Sequence, residues 1–274
     1  MKIGFIGTGV MGRGIINNLL QANYEVVVFN RTKAHAQSVL DNGATWADSP
    51  KEIAEAADLV ITMVGYPKDV EEQYYGDNGL FAGSHAGQIF VDMTTSTPTL
   101  AEQLAVDGEK YDVKVLDAPV SGGDEAAYDS LQPIFDVISK AANRFGVAGR
   151  GQHTKMANQI MIAATMLGMS EMMVYAKAAD LDVAKVMATL SAGGAQNWSL
   201  DNYGPRVLAG DFEPGFYAKH LLKDLRIALD EAAKMNLSLP ATDLAEALYT
   251  KLVEQKNLGD EGTQALVKLW AQFA

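Results

Sequence analysis

Residues 4–14 read GFIGTGVMGRG, and Gly7, Gly9 and Gly12 stand at G-x-G-x-x-G spacing directly behind the apolar run from Ile3 to Ile6. An apolar strand that runs into a glycine turn and then into a helix leaves a chain few folds to adopt. Gly7 permits the tight turn, Gly9 lets the backbone approach a pyrophosphate with no Cβ in the way, and Gly12 lets the helix pack on the strand. The helix N-terminus then offers its first N–H groups to the anion. Thr8, Val10 and Met11 fall on the same loop. The spacing also matches plain glycine-rich turns, so its context has to carry the reading.

That context is a helical stretch over 11–21 and a second strand over 25–29, a βαβ unit of the length a dinucleotide site requires. The second strand ends in Asn30, Arg31, Thr32 and Lys33. An acidic residue here would accept hydrogen bonds from a ribose 2′-hydroxyl and repel a 2′-phosphate; Asn30 and a cation favour NADP over NAD. Up to about residue 123, short β-rich runs alternate with helical stretches, the pattern of a parallel sheet covered on both faces. The clearest strands are expected at 58–64, 88–92 and 113–117. Ligands bind beyond the carboxyl ends of such strands, so the loops that follow should line one crevice with the glycine turn. This adds Val64, Gly65, Pro67 and Thr95 to the expected cofactor contacts.

Beyond Gly151 the period becomes helical. Met156, Ile160, Ala163, Ala164, Leu167 and Met172 recur at three-and-four spacing through one long helix reaching about residue 180. Its methionines read as flexible core filling. Further helices are expected at 182–191, 217–236, 240–256 and 262–272, with Gly193-Gly194, Gly204-Pro205 and Pro214-Gly215 as breaks. The expected fold is therefore α/β: an N-terminal Rossmann dinucleotide-binding domain over 1–150, then an all-α domain over 151–274, joined by the long helix.

A formal charge of −12 and a pI near 4.7 argue against nucleic acid or anionic membranes as partners. Cysteine is absent, which removes disulfides and thiolate chemistry. His35, His85, His153 and His220 show no metal-binding spacing, so no metal is expected. A first strand starting at residue 2 leaves no room for a signal peptide, and no membrane span is expected, which points to the cytoplasm.

Four segments, GFIGTGVMG at the start, DAPVSGG at 117–123, GVAGRGQHTKMANQ at 146–159 and KDLRIAL at 223–229, together resemble the β-hydroxyacid dehydrogenase family. That family includes 3-hydroxyisobutyrate dehydrogenases, tartronate semialdehyde reductases and relatives of 6-phosphogluconate dehydrogenase. The likeness runs from residue 1 to about 272. It implies an NADP-dependent 3-hydroxyacid dehydrogenase that exchanges hydride with a small hydroxy acid or its semialdehyde. Lys155 matches the catalytic lysine and would be the general acid and base. Ser121, Gly122 and Gly123 match the loop that holds the substrate carboxylate through a hydroxyl and backbone N–H groups. Lys223 and Asp224 match a pair near the nicotinamide and substrate. Trp198 falls in the segment that lines the substrate pocket, although an aromatic packed between helices fits it as well. Relatives form homodimers or homotetramers through their helical domains.

The chain departs from the family pattern twice. The helper amide commonly lies four residues after the lysine as asparagine; here Asn158 is at plus three and Gln159 at plus four. Gln159 shares the face of Lys155, so it is the better placed by helix geometry, with Asn158 as the other candidate. After Asp124 about a dozen residues, enough for a strand and its turns, are missing relative to the family; this is either a genuine deletion, which should take one strand from the sheet, or a segment of the protein that this sequence does not include. Rival readings are an imine or aldehyde reductase, a sugar-phosphate dehydrogenase using Arg206, Lys219 and His220, or a nonenzymatic NADP(H)-binding sensor.

Overall fold

The apolar run ahead of the glycine turn forms β1 (Lys2–Ile6), which sits within a six-stranded, all-parallel sheet in a computed structural model that describes residues 1–119, 122–139 and 142–273. The other strands are β2 (Glu25–Phe29), β3 (Thr45–Trp46), β4 (Leu59–Thr62), β5 (Ile89–Asp92) and β6 (Lys114–Asp117). Their spatial order is β3-β2-β1-β4-β5-β6. Gly4 of β1 lies opposite Val27 of β2 on one side and Val60 of β4 on the other. The chain order reverses there, and the crevice outside the carboxyl ends of β1 and β4 is where a parallel sheet receives a ligand.

Both faces of the sheet are covered, which is why its strands read as near-continuous apolar runs. One face packs α1 (Val10–Gln21), α2 (Gln37–Asp41), α7 (Glu125–Ser130) and α8 (Gln132–Ile138) over Ile3, Phe5, Ile16, Leu19, Val28 and Phe135. The other packs α3 (Pro50–Ala56), α4 (Pro67–Tyr74), α5 (Leu80–Gly83) and α6 (Pro98–Glu109) over Ile6, Ile53, Val60, Tyr74, Phe90 and Leu104. Ser49 and Thr97 cap α3 and α6, each accepting a hydrogen bond from the N–H three residues on and each followed by proline at the first helical position.

At its other end the sheet stops at β6. No strand intervenes between Gly123 and α7, whose N-cap is Asp124. An antiparallel bridge, Asp117 to Gly122, follows β6, ahead of the point after Asp124 where the family resemblance places a further strand. Two ion pairs, Lys114 with Asp124 at 3.5 Å and Arg144 with Glu125 at 3.0 Å, stand beside this edge and place charge there.

Two compact units divide the chain, Met1–Lys155 and Met156–Ala274. The helix α9 (Arg150–Ala178) runs through the division. The second unit continues with α10 (Val183–Ser191), α11 (Trp198–Leu208), α12 (Ala218–Lys234) and α13 (Pro240–Thr250), and ends in a 3-10 stretch over Thr263–Leu269 where a full helix is expected. Met166, Met169 and Met173 of α9 are buried against Met187, Leu200, Tyr203 and Val207, so methionine does fill a core there. By length and composition α9 could cross a membrane, contrary to the expectation that no such segment exists. Its apolar residues Ala163 and Leu167 are core residues of the helical unit, which accounts for that composition.

The expected break at Gly204-Pro205 is not one. Both residues lie inside α11, and the N–H of Ala209 closes the ladder onto the Pro205 carbonyl at 3.1 Å. Gly204 is the point of close approach to Met187, where a Cβ would collide with the methionine tip. Burial of this face outweighs the one backbone hydrogen bond that proline removes.

Candidate active site

The glycine turn separates two kinds of requirement. A Cβ on Gly7, where φ is +103°, would run into the Met63 carbonyl, and one on Gly12 would run into the carbonyl of Gly7. Both glycines are demanded by the protein's own packing. A Cβ on Gly9 would meet no described protein atom within 4 Å. The space beside Gly9 is open to the close approach of a ligand. Gly9 is also the N-cap of α1 and supplies no side-chain cap. Thr8 Oγ1 is buried without a hydrogen-bond partner among the described residues. An uncapped helix start, an open cradle and an orphaned hydroxyl fit a dinucleotide pyrophosphate.

Asn30 holds this loop: its Oδ1 accepts from the Thr8 N–H at 3.0 Å, while its Nδ2 donates to the Thr32 carbonyl at 3.0 Å. Arg31 beside it is 84% exposed, with a guanidinium nitrogen 3.5 Å from Asp69. Asp69 already accepts from the Tyr66 N–H at 3.0 Å as part of the α4 cap. In the loop after β4, the Val64 N–H donates to Thr94 Oγ1 at 3.0 Å, which ties Val64, Gly65 and Pro67 to the loop that carries Thr95.

Two carboxylates that the sequence reading did not single out organise the strand ends. Asp92 and Asp117 close β5 and β6, lie opposite each other in register, and are both buried. Asp92 Oδ1 accepts from Thr62 Oγ1 at 2.8 Å and from the Thr94 N–H at 3.0 Å. Asp117 accepts from the Gly149 N–H at 3.0 Å and from the Gln152 N–H at 2.8 Å, so it caps α9 from the sheet. Burial pushes each carboxyl up to about 6, against the hydrogen bonds that pull it down. Gln152, fully buried, donates to the Thr94 carbonyl at 2.8 Å and accepts from the Ser96 N–H at 3.0 Å. The available signal was two apolar strands, IFVD and KVLD, each ending in an acid.

Lys155 follows one helical turn after Gly151 and is half-buried. Ser121 lies outside the described residues. The Gly122 N–H donates to the Asp117 carbonyl at 2.7 Å and the Gly123 N–H to the Gly146 carbonyl at 2.9 Å, so each N–H already has an acceptor inside the protein. Their role here is close packing: a Cβ on Gly122 would lie 2.5 Å from the Gly151 nitrogen.

In the helical unit, Gln159 is 1% exposed and its amide makes a hydrogen bond at each end. Nε2 donates to Asp224 Oδ2 at 2.6 Å, and Oε1 accepts from Asn158 Nδ2 at 2.8 Å. Lys223 Nζ lies 3.1 Å from Asp224 Oδ1. The Lys223–Asp224–Gln159–Asn158 chain orients both amides. Trp198 is 64% exposed and touches Tyr203 edge-on, so it is not packed between helices in this chain. Two of the cations proposed for a phosphate are paired with acids. Arg206 is held by Asp211 through two hydrogen bonds, Lys219 pairs with Asp260, and burial with neighbouring Lys223 and Lys219 pushes His220 down to about 4.

Residues 2–132 match the family model for the NAD binding domain of 6-phosphogluconate dehydrogenase, and residues 149–270 that for the NAD-binding region of NADP-dependent 3-hydroxyisobutyrate dehydrogenase. A probable 3-hydroxyisobutyrate dehydrogenase-like protein of Arabidopsis thaliana is 46% identical over 97% of this chain and 84% of its own length. The chain belongs to the 3-hydroxyisobutyrate dehydrogenase family. It is an oxidoreductase with NAD(P)-binding domains. The 2-hydroxy-3-oxopropionate reductase of Escherichia coli K12 is 33% identical over 91% of this chain and 90% of its own. In fold, the Mycobacterium tuberculosis 3-hydroxyisobutyrate dehydrogenase matches with a TM-score of 0.88, covering 98% of both chains at 24% identity. The Arabidopsis alignment spans 282 residues on a chain of 274, so that family member carries residues this one lacks.

Gly9→Ala is expected to weaken NAD(P)H binding about tenfold or more while thermal stability stays within about 1 kcal/mol of the parent, whereas Gly12→Ala should cost about 1–3 kcal/mol of stability. Titration calorimetry and urea unfolding separate the two. Because the buried carboxyls titrate above their unfolded values, the folded protein holds more protons between about pH 4 and 6, and their contribution to stability is lost as pH rises through that window. Asp92→Asn keeps Oδ1 as an acceptor and should remove Asp92's share of that decline, on the order of 1–3 kcal/mol, in urea midpoints compared at acid and neutral pH.

Proposed function

We propose that the chain is an NADP-dependent 3-hydroxyacid dehydrogenase that interconverts a small 3-hydroxy acid and its semialdehyde, with Lys155 as general acid and base. The observation that carries this reading is the anchoring of the first turn of α9 to the carboxyl ends of β5 and β6 through Asp117 and Gln152. Lys155 is one turn further along α9. When bound, the nicotinamide supplies or takes up the hydride.

Gly7 to Gly12, with the N–H groups at the start of α1, would hold the pyrophosphate. Arg31 and Thr32 would receive the 2′-phosphate. The Arg31–Asp69 contact is long and solvent-exposed, worth about 0–1 kcal/mol, and a doubly charged phosphate would displace it. Lys155 takes the hydroxyl proton on oxidation and returns it on reduction. Of the two amides, Asn158 is assigned to orient the hydroxyl, because Gln159 is engaged at both amide atoms. With its Nδ2 donated to Gln159, Asn158 has Oδ1 left as an acceptor for the substrate O–H. On the family resemblance Ser121 is assigned to the substrate carboxylate, and Trp198, Lys223 and Asp224 to substrate or cofactor contact. An exposed α9 face that includes Met161 and Tyr175 favours a homo-oligomer.

A second reading has one observation in its favour. The segment after Asp124 is short and the Gly122 and Gly123 N–H groups are taken up internally, as in a protein that keeps the cofactor cradle and has lost turnover. A panel of semialdehydes and hydroxy acids, followed by NADPH absorbance, distinguishes the two. Tight NADPH binding with no oxidation or reduction across the panel selects the sensor.

Lys155→Ala should lower kcat by about 100- to 10,000-fold with NADPH affinity nearly unchanged. Arg31→Asp should weaken NADP by about tenfold or more while leaving NAD binding within a factor of about three. Equal losses for both cofactors count against the 2′-phosphate assignment.

A further inference from the structure

Asp117 is a buried acid for which the acid–base reading has no use. It is 3% exposed, and it touches three segments at once. Its backbone closes the loop 117–122, donating to the Gly122 carbonyl at 3.2 Å and accepting from the Gly122 N–H at 2.7 Å. Its carboxylate receives the Gly149 and Gln152 N–H groups, two of the donors that a helix start leaves without partners. Its carbonyl and Oδ2 fill the space where a Gly151 side chain would stand, with Oδ2 2.8 Å from that Cβ position. Gln152 adds a second tie from the same turn, to the loop after β5.

We propose that Asp117 is the positioning residue for Lys155: its carboxylate sets the distance and direction of the lysine relative to the loop 117–123 by fixing the first turn of α9, without touching substrate or cofactor. The inference rests on Lys155 being the acid–base group. Lys155 lies four residues past Gly151, a rise of about 6 Å along the axis, so a tilt of the first turn is carried directly to the amine. The two acceptors required are both oxygens of one carboxylate. Asparagine offers one oxygen and faces the other N–H with a donor, so the first turn loses one of its two anchors on β6 while the side-chain volume is kept. A displacement near 1 Å costs about 100-fold in a proton transfer that depends on alignment.

The test is Asp117→Asn, with Gly151→Ala as the second variant because its Cβ pushes the same turn away from an intact Asp117. Each is compared with the parent and with Lys155→Ala. The expected result is a 10- to 100-fold fall in kcat (about 1.4–2.7 kcal/mol), NADPH affinity within about twofold, and a larger primary isotope effect with deuterated NADPH as the chemical step becomes limiting. Without any ligand, amide hydrogen exchange should show loss of protection at Gly149 and Gln152, while β1 and α1 keep theirs. The inference is overturned if a folded Asp117→Asn protein retains kcat within about threefold, or if kcat and NADPH affinity fall together in step with melting temperature. Should Asp117→Asn not fold, Gly151→Ala decides on the same criteria. Normal turnover in Lys155→Ala would instead refute the acid–base assignment itself.

Discussion

The geometry of the N-terminal unit depends on one buried carboxylate set against one helix start. Removing the Asp117 carboxylate from water is costly, and burial raises its proton affinity accordingly. The N–H groups of Gly149 and Gln152 offset part of that cost, and the positive end of the α9 dipole adds to them. The contact is close only because Gly122 and Gly151 carry no side chains. An acid and two glycines from separate motifs therefore form one packing unit, and the helix that bears Lys155 takes its origin from it.

The helical unit solves a similar problem with another buried acid. Asp224 takes a hydrogen bond from Gln159 and pairs with Lys223, and Gln159 in turn receives the amide of Asn158. In both units the oxygens of a buried carboxylate fix polar groups from another segment of the chain. A charged acceptor suits this purpose because its hydrogen bonds are roughly twice as strong as neutral ones and its two oxygens constrain direction.

Much of the fold was legible. Five strands were found within one or two residues because parallel strands buried on both faces are apolar runs bounded by loops, as at β2 and β5, while the two-residue β3 was missed because it is too short to show a pattern. The turn glycines were legible from their spacing, and at Gly7 and Gly12 the backbone leaves no room for a Cβ. Other features were not. Gly204-Pro205 reads as a break locally but sits within α11, where packing against Met187 outweighs the missing N–H. Gly122 and Gly123 read as donors to an anion, yet their N–H groups close on Asp117 and Gly146. Gln159 looked better placed than Asn158 by helical period, but the period says nothing about a partner on α12.

Local order of residues determined the βαβ start, the cofactor cradle, the change from alternating to helical period and the motifs that carry the family resemblance, because each depends on contacts within a few residues of the chain. Tertiary structure alone decided which polar groups are already used. Asp117 finds Gln152, Gln159 finds Asp224 and Gly123 finds the Gly146 carbonyl at sequence separations that no periodicity encodes. A hydrogen-bonding group satisfied inside the protein is no longer offered to a ligand, and that distinction arises only once distant segments have been brought together.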